Sequence, residues 1–185
     1  LVDDCSSHES TRDLIRKWTA LDDRIVCKFR DHNGGISAAT QTGFEISSGE
    51  YIGFLDNDDK LSKDCLFHVA RTISESDTQI VYSDEDLIGG EGESLAVFRK
   101  PGFNRALLCA HNYITHFSVV SRKLYQRVGG MRSEFDGAQD YDLMLRLAEE
   151  TDTMSHIPRV LYHWRAAATS TSIAHDQKPY AHDAG

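Results

Sequence analysis

The alternation of strand-like and helix-like segments is the feature that most constrains how this 185-residue chain can fold. Segments whose apolar residues recur at helical spacing separate four short apolar runs, at residues 24–29, 51–55, 79–82 and 117–120. Such alternation is typical of βαβ units. The sequence therefore predicts the α/β class, with a mainly parallel sheet flanked by helices.

Composition excludes several classes of partner. The 20 basic residues are outnumbered by 29 acidic ones, so the net charge of −9 leaves no basic surface for nucleic-acid phosphates. No apolar run approaches the roughly 20 residues that a membrane-spanning helix needs. The four cysteines, at positions 5, 27, 65 and 109, form no CxxC pair. We expect reduced thiols in a cytoplasmic protein, and neither a disulfide framework nor a zinc site.

Acidic residues follow several of the predicted strands. Because ligands of open parallel sheets bind at the carboxyl ends of the strands, acidic residues there predict an edge that handles metal and nucleotide. The polar segments concerned are residues 3–4, 31–33, 56–59 and 83–86.

The segment 56–59, Asp-Asn-Asp-Asp, carries most of this interpretation. Its carboxylates repel one another unless a cation lies between them. Mg²⁺ or Mn²⁺, with a phosphate on its far side, is the simplest candidate. An isolated D-x-D is more often a solvated acidic turn, so the preceding apolar strand matters. An EF-hand is excluded, because Leu61 and Phe67 stand where that loop needs Gly and Glu.

Three further features have both a functional and a structural interpretation. Asn33-Gly34-Gly35 precedes a predicted helix and could bring backbone N–H groups to a ligand, or form a plain turn. Asp140 lies in the first turn of the predicted helix 139–150. It could act as a general base, or it could only stabilise the helix start through the helix dipole. His163 and Arg165 share one face of a predicted edge strand at residues 157–165, where they could bind metal and diphosphate or be structural.

Taken together, these segments resemble the family 2 glycosyltransferases with the GT-A fold. Val-Asp-Asp-Cys-Ser-Ser at 2–7 is similar to the family's V-D-D-x-S segment, and residues 33–39 are similar to its N-x-G-x-x-x-A segment. Residues 49–59 resemble its strand and D-x-D motif, and residues 137–143 its catalytic Asp segment. Residues 82–86 and 156–165 resemble a bacterial branch that builds O-antigen, capsule or other surface polysaccharides.

The chain departs from the family pattern in two places. The family's first strand and donor-contacting loop are not found before Leu1, so we expect an amino-terminal strand to be missing. Gln139 stands where the family usually has Glu, which leaves the following Asp140 in place. We expect residues 1–185 to form a single GT-A domain that is truncated at the amino end, with residues 173–185 as a polar tail. A longer native chain could carry further domains.

The resemblance implies an inverting, metal-dependent transfer of sugar from a nucleotide donor, UDP- or dTDP-linked, to a glycan or lipid-linked acceptor. It implies Asp140 as the base and Mg²⁺ or Mn²⁺ held by Asp58 with Asp56 and His163. The implied donor-binding residues are Asp3, Asp4, Asn33, Gly34, Asp56 and Arg165. Weaker candidates for acceptor contact are Asp84, Asp86, His111 and Asn112.

Three other functions remain open on the sequence. A sugar nucleotidyltransferase would share the acidic metal site, but the glycine- and arginine-rich triphosphate loop that it needs is not evident. A non-catalytic nucleotide- or glycan-binding module of a larger polymerase is disfavoured by Asp140, and a purely structural α/β domain by the carboxylates at strand ends. A lipid-linked acceptor is compatible with a peripheral position at the inner face of the plasma membrane.

Overall fold

The computed structural model describes residues 1–166, which form eight strands and six α-helices. The strands are β1 (Val2–Asp3), β2 (Lys28–Phe29), β3 (Tyr51–Gly53), β4 (Lys60–Leu61), β5 (Ile80–Ile88), β6 (Ser94–Phe98), β7 (Ser118–Ser121) and β8 (Met154–Arg165). The helices are α1 (Glu9–Leu21), α2 (Gly35–Ile46), α3 (Cys65–Glu75), α4 (Arg105–Ala110), α5 (Arg122–Arg127) and α6 (Gln139–Glu150). The predicted tail at 173–185 lies outside the described residues.

The sheet is mixed, which corrects the expectation of a mainly parallel one. The main sheet has the order β3-β7-β5-β8-β4, and β6 also pairs with β5. Among the described pairings only β1 with β2 and β5 with β8 are parallel; the other four are antiparallel. The turn between β5 and β6 is one reason, because so short a connection can join only antiparallel strands.

Strand β5 is longer and more buried than the sequence predicts. It continues through Asp84, Glu85 and Asp86, whose exposed fractions are only 1%, 4% and 7%. The expectation that residues 83–86 form an acidic loop at a strand end is therefore wrong, and the weak acceptor candidates Asp84 and Asp86 lie within a buried strand. The strand does not end there because β6 and β8 supply backbone partners on both sides.

Strand β8 is internal, whereas residues 157–165 were expected to form an edge. It lies between β5 and β4, pairing in parallel with the first and antiparallel with the second. Leu161 and Tyr162 are consequently almost fully buried. This position brings the Tyr-His-Trp-Arg segment at 162–165 against the acidic loop that precedes β4.

Helices cover both faces of the main sheet. On one face, Ile80, Tyr82 and Val120 pack with the buried apolar residues of α4, α5 and α6. On the other, Val81 and Val119 pack with Cys65 and Val69 of α3. The alternation of Ile80, Val81 and Tyr82 between these two cores follows from the two-residue period of a strand.

The amino-terminal part is a smaller layer. Strands β1 and β2 form a separate two-stranded sheet, against which α2 packs. Helix α1 has no buried residue, and its apolar residues Leu14, Trp18 and Leu21, which recur at helical spacing, are exposed. Within residues 1–166, no helix has the length and apolar character needed to cross a membrane.

An ion-pair cluster fixes the helix that carries Asp140. Asp142, also on α6, accepts hydrogen bonds from Arg132 and, at 2.6 Å, from Arg146. Arg146 also donates to the carbonyls of Val128 and Gly130, at 2.6 and 2.7 Å. Burial alone would raise the pKa of Asp142, but the two guanidinium groups outweigh it and leave the pKa below its usual value.

We expect Asp142→Asn to lower the free energy of unfolding by about 2 kcal/mol at neutral pH, since it leaves two arginines short of their acceptor. The folded-state pKa of Asp142 is depressed, so its contribution is present above the unfolded-state pKa of about 3.9 and is lost as pH falls below that value. Denaturant unfolding of both proteins at several pH values checks this. The difference between them should shrink in acid; a constant difference would contradict the assignment.

Candidate active site

The acidic loop between β3 and β4 is tied to strand β8. The Asp59 carboxylate accepts hydrogen bonds from the Tyr162 hydroxyl at 2.5 Å and from the Arg165 backbone N–H at 2.8 Å. The same hydroxyl accepts the backbone N–H of Asp56 at 3.3 Å, and the Arg165 side chain donates to the carbonyl of Asp58 at 2.7 Å. The loop is therefore held in one conformation by the strand beside it.

Asp56, Asp59 and His116 converge at this loop. One ligand-type atom of each lies within 4.8 Å of the others, which is a spacing that could hold a metal ion. The His116 ring stacks on Tyr162, with centroids 4.8 Å apart and planes 15° from parallel. Burial raises the pKa of Asp56; nearby His116 opposes the shift, and Asp59, Asp58 and Asp140 add to it. A bound cation would relieve this concentration of negative charge.

The structure places the other two residues of the predicted metal set elsewhere. Asp58 is exposed, and its side chain is not among the three groups that converge. The Nδ1 atom of His163 lies 2.7 Å from an oxygen of Asp86. Because side chains alternate along β8, His163 projects from the face opposite to Tyr162. The sequence-predicted ligands Asp58 and His163 thus remain predictions, and Asp56 is shared by both sets.

Asp140 lies at the start of α6, as the sequence predicts. One of its oxygens accepts a hydrogen bond from the side-chain amide of Asn112 at 3.0 Å. The amide oxygen of Asn112 is buried and, within the described part of the chain, has no hydrogen-bond partner. Asp140 is also one of the charges that raise the pKa of Asp56, so the two predicted site segments lie near each other.

The predicted donor-binding residues of the amino-terminal layer form a second group. Asp4 accepts the N–H groups of Gly34 and Gly35 at 3.1 and 2.9 Å, and pairs with Arg30 at 2.7 Å. The Asn33 side chain accepts the N–H of Gly35 at 3.2 Å. These contacts join the end of β1 to the turn before α2.

Asp3, beside Asp4, is buried. Its carboxylate accepts the N–H of Ser6 at 3.3 Å and lies 3.6 Å from the Arg12 guanidinium. Donor contact through the Asp3 side chain would need this arrangement to open, whereas Asp4 and Asn33 keep part of their surface accessible.

Gly35 connects this turn to the segment that leads into Asp140. Its φ of +84° is one that residues with a side chain rarely adopt, and a Cβ atom there would lie 2.2 Å from Asp136. The other oxygen of Asp136 accepts the N–H of Ser37, in the first turn of α2, at 3.2 Å. Close contact between α2 and the loop before α6 therefore depends on glycine at position 35.

The four predicted acceptor residues divide into two pairs. Asp84 is used internally, by the Lys100 N–H at 3.0 Å and by His156 at 2.7 Å, while Asp86 holds His163. His111 is exposed, and Asn112 contacts Asp140. Only the second pair is available to a ligand.

Sequence reasoning missed two residues of the site, His116 and Tyr162. His116 precedes β7 without any spacing motif, so only the fold brings it to the acidic loop. Tyr162 did carry a signal: residue alternation along the strand puts it opposite His163, and an internal strand would have buried it.

The fold and the site define a mixed α/β domain with an acidic, metal-compatible loop beside a carboxylate at a helix start. Comparison with known proteins identifies the family of this domain. The profile of Glycosyl transferase family 2 matches residues 1–129, and the chain belongs to that family.

Relatives and solved structures agree with this assignment. The chain is 36% identical over 173 residues, 93% of its length, to O-antigen biosynthesis protein RfbC of Myxococcus xanthus. It superposes with a TM-score of 0.75 on Staphylococcus aureus TarS 1–349 in complex with UDP-GlcNAc, at 17% identity, covering 97% of this chain and 54% of that one. A mannosyltransferase of Pyrobaculum calidifontis in complex with GDP-Man and Mn²⁺ gives 0.65 at 16% identity, covering 97% and 50%. These two likenesses confirm the GT-A fold. The chain spans 14% of the length of RfbC.

Paired histidine variants test which imidazole binds metal. We expect His116→Ala to weaken Mn²⁺ binding at least about tenfold, because within residues 1–166 His116 is the histidine grouped with Asp56 and Asp59. His163→Ala is the matched comparison and should bind Mn²⁺ nearly as the parent does. Isothermal titration calorimetry measures both, and a loss confined to His163→Ala would instead support the set predicted from the sequence.

Proposed function

We propose that this chain is the catalytic domain of an inverting, metal-dependent glycosyltransferase of bacterial surface polysaccharide synthesis. It would move a sugar from a nucleotide donor to a hydroxyl of a glycan or lipid-linked acceptor. The observation that carries the proposal is the convergence of Asp56, Asp59 and His116 at one acidic loop, in a chain whose Asp140 is held by Asn112 at a helix start. The relative RfbC is named as an O-antigen biosynthesis protein, which supports a role in bacterial surface polysaccharide synthesis.

The residues at the loop fit a hard divalent cation. Carboxylate oxygens are the ligands that Mg²⁺ and Mn²⁺ prefer, and the raised pKa of Asp56 marks a place where extra positive charge is favourable. Asp56 would hold the ion together with Asp59 and His116, or with Asp58 and His163 as the sequence predicts. When bound, the ion neutralises the charge that develops on the leaving diphosphate.

Asp140 is the group placed to take the proton. In the proposed step the acceptor hydroxyl loses its proton to Asp140 while its oxygen bonds to the anomeric carbon of the donor sugar. The bond from that carbon to the diphosphate breaks, and its electron pair leaves with the nucleoside diphosphate. A single displacement from the opposite face inverts the anomeric configuration. Asn112 holds the Asp140 carboxylate in position through its 3.0 Å hydrogen bond.

The donor is proposed to extend from the amino-terminal layer to the acidic loop. Asp4, Asn33 and Gly34 form the turn at the end of β1 and would contact the nucleoside, with Asp3 buried behind them. Arg165 lies against the loop and would face the diphosphate. The complex of TarS with UDP-GlcNAc supports a UDP-sugar as the first donor to test. A position at the inner face of the plasma membrane would bring the domain to a lipid-linked acceptor.

The metal requirement can be tested with a charge-matched pair. We expect Mn²⁺ with UDP to raise the Tm of the parent protein, and Asp56→Asn to abolish that increase because Asp56 is shared by both candidate ligand sets. The control is Asp77→Asn, which removes the same charge from an exposed position. A Tm increase in Asp56→Asn equal to that in the control would exclude Asp56 from the metal site.

The base assignment is tested by Asp140→Asn. We expect this variant to keep metal-dependent donor binding and to lose roughly 10²–10⁴-fold in transfer rate, since the amide cannot accept the proton. Glu149→Gln, an exposed charge change on the same helix, should transfer at the parent rate. Product analysis by mass spectrometry follows the reaction.

Comparable turnover by Asp140→Asn would remove the base assignment. A parent protein that binds donor yet neither transfers nor hydrolyses it would point to the non-catalytic binding module instead. Release of pyrophosphate from a nucleoside triphosphate would favour the nucleotidyltransferase.

A further inference from the structure

A pocket of about 490 Å³ lies between the β5–β6 hairpin and the segment that follows α4. Its volume is within the range of small-ligand sites. We call it the hairpin pocket; its lining includes Phe98, Trp164, Tyr113, Asn112, Glu85 and Lys100. Neither the metal loop nor the donor-binding turn contributes to that lining.

Two aromatic side chains of the pocket lining, Phe98 and Trp164, project from one face of the sheet. In the strand register Glu85 is paired with Phe98 across β5 and β6, and Leu87 with Trp164 across β5 and β8. Paired residues project from the same face of a sheet, and so do residues two apart on one strand. Phe98 and Trp164 therefore lie on the same side. Phe98 is 43% exposed, far more than a residue needed for the core.

Two buried charged residues of the pocket lining, Glu85 and Lys100, neutralise each other. Lys100 donates to Glu85 at 3.2 Å and to the carbonyl of Ile114 at 2.5 Å, and also to the carbonyl of His116. Glu85 further accepts the hydroxyl of Thr115 at 2.9 Å. Both charged side chains are about 95% buried, at 4% and 5% exposure. Arg99, the third charged residue of the described lining, pairs with Asp84 at 3.1 Å although its side chain is 70% exposed. Each charged residue of that lining thus has a partner of opposite sign, which favours an uncharged ligand.

The hairpin pocket adjoins the reaction centre at two points. Asn112 lines the pocket and donates to Asp140, while its own amide oxygen is buried and, among residues 1–166, unpartnered. Trp164 lies edge-on to His116, with ring centroids 5.9 Å apart. A ligand in the pocket would therefore contact residues adjacent to both the proposed base and the metal loop.

We propose that the hairpin pocket binds the acceptor as an uncharged hexopyranose ring, an inference that rests on the proposed transferase function. A pyranose has apolar C–H faces and a rim of hydroxyls. One face stacks on Phe98, with Trp164 at the far side of the pocket, and one hydroxyl lies against the Asn112 side chain, whose buried amide oxygen turns toward the pocket to accept it. The neighbouring hydroxyl then points at Asp140, which holds it for attack on the donor.

Intrinsic fluorescence offers a direct test, because the chain has two tryptophans, Trp18 and Trp164. Trp18 lies on the exposed face of α1, so Trp18→Phe leaves Trp164 as the only reporter. The full chain with this change is titrated with methyl β-D-glucopyranoside and methyl N-acetyl-β-D-glucosaminide. We expect at least one glycoside to shift Trp164 emission saturably, without metal or nucleotide.

Added to that parent, Phe98→Ala should weaken glycoside binding at least about tenfold, and Phe98→Tyr should restore it. Leu95→Ala is the matched control: Leu95 is a 55% exposed apolar residue of the same strand that does not line the pocket. Equal Tm values would show that the Phe98→Ala variant is folded. No saturable shift with either glycoside, or equal affinity in Phe98→Ala and Leu95→Ala, would overturn the assignment.

The binding of UDP and Mn²⁺ to the same parent protein separates this proposal from the one on which it rests. If UDP and Mn²⁺ bind but the glycosides do not, the hairpin pocket is not the acceptor site and the transferase proposal stands. If the glycosides bind and UDP does not, the pocket is a saccharide site and the transferase proposal fails.

Discussion

Three consecutive buried carboxylates on β5 impose the constraint on which the rest of the site depends. A buried charge is tolerated only with a partner, and these carboxylates find theirs on β8 and just after β6. Asp84 binds His156, Glu85 binds Lys100, and Asp86 binds His163. Both histidines belong to β8, and Lys100 donates to the carbonyls of residues 114 and 116 just before β7. Satisfying the charges of one strand thus assembles both walls of the site.

The same scaffold fixes the acidic loop of the candidate site. With β8 fixed beside β5, Tyr162 and the backbone of Arg165 bind Asp59, and the loop cannot swing into solvent. His116, fixed by the same network, stacks on Tyr162 and approaches Asp56. Negative charge that is unfavourable without a cation is thereby concentrated at the loop. A divalent cation would be stabilised there, and the cation would in turn stabilise a diphosphate. Asp140 belongs to a different element, helix α6, which is anchored by Asp142 and its two arginines.

Local patterns were sufficient for much of the fold. Helix α6 begins and ends where its periodicity predicts, and α2 follows the glycine turn as expected. Strand direction was not predictable, because antiparallel β6 and β7 carry the same short apolar pattern as parallel strands. The polar run at residues 83–86 led to a wrong strand end, because periodicity alone predicts that a strand ends at charged residues. In the structure, partners on neighbouring strands allow these charged residues to be buried.

By itself, the sequence determined the α/β class, the family, the acidic loop at Asp56 and the base candidate at Asp140. These depend on order and spacing along the chain, which are visible without a fold. Tertiary structure decided that His116 and Tyr162 adjoin the loop, that Asp84 and Asp86 serve the scaffold, and that Asn112 reaches Asp140. Which side chains meet depends on strand order and on the face of the sheet from which each residue projects. Both are fixed only when distant segments pair their charges and bury their apolar surfaces together.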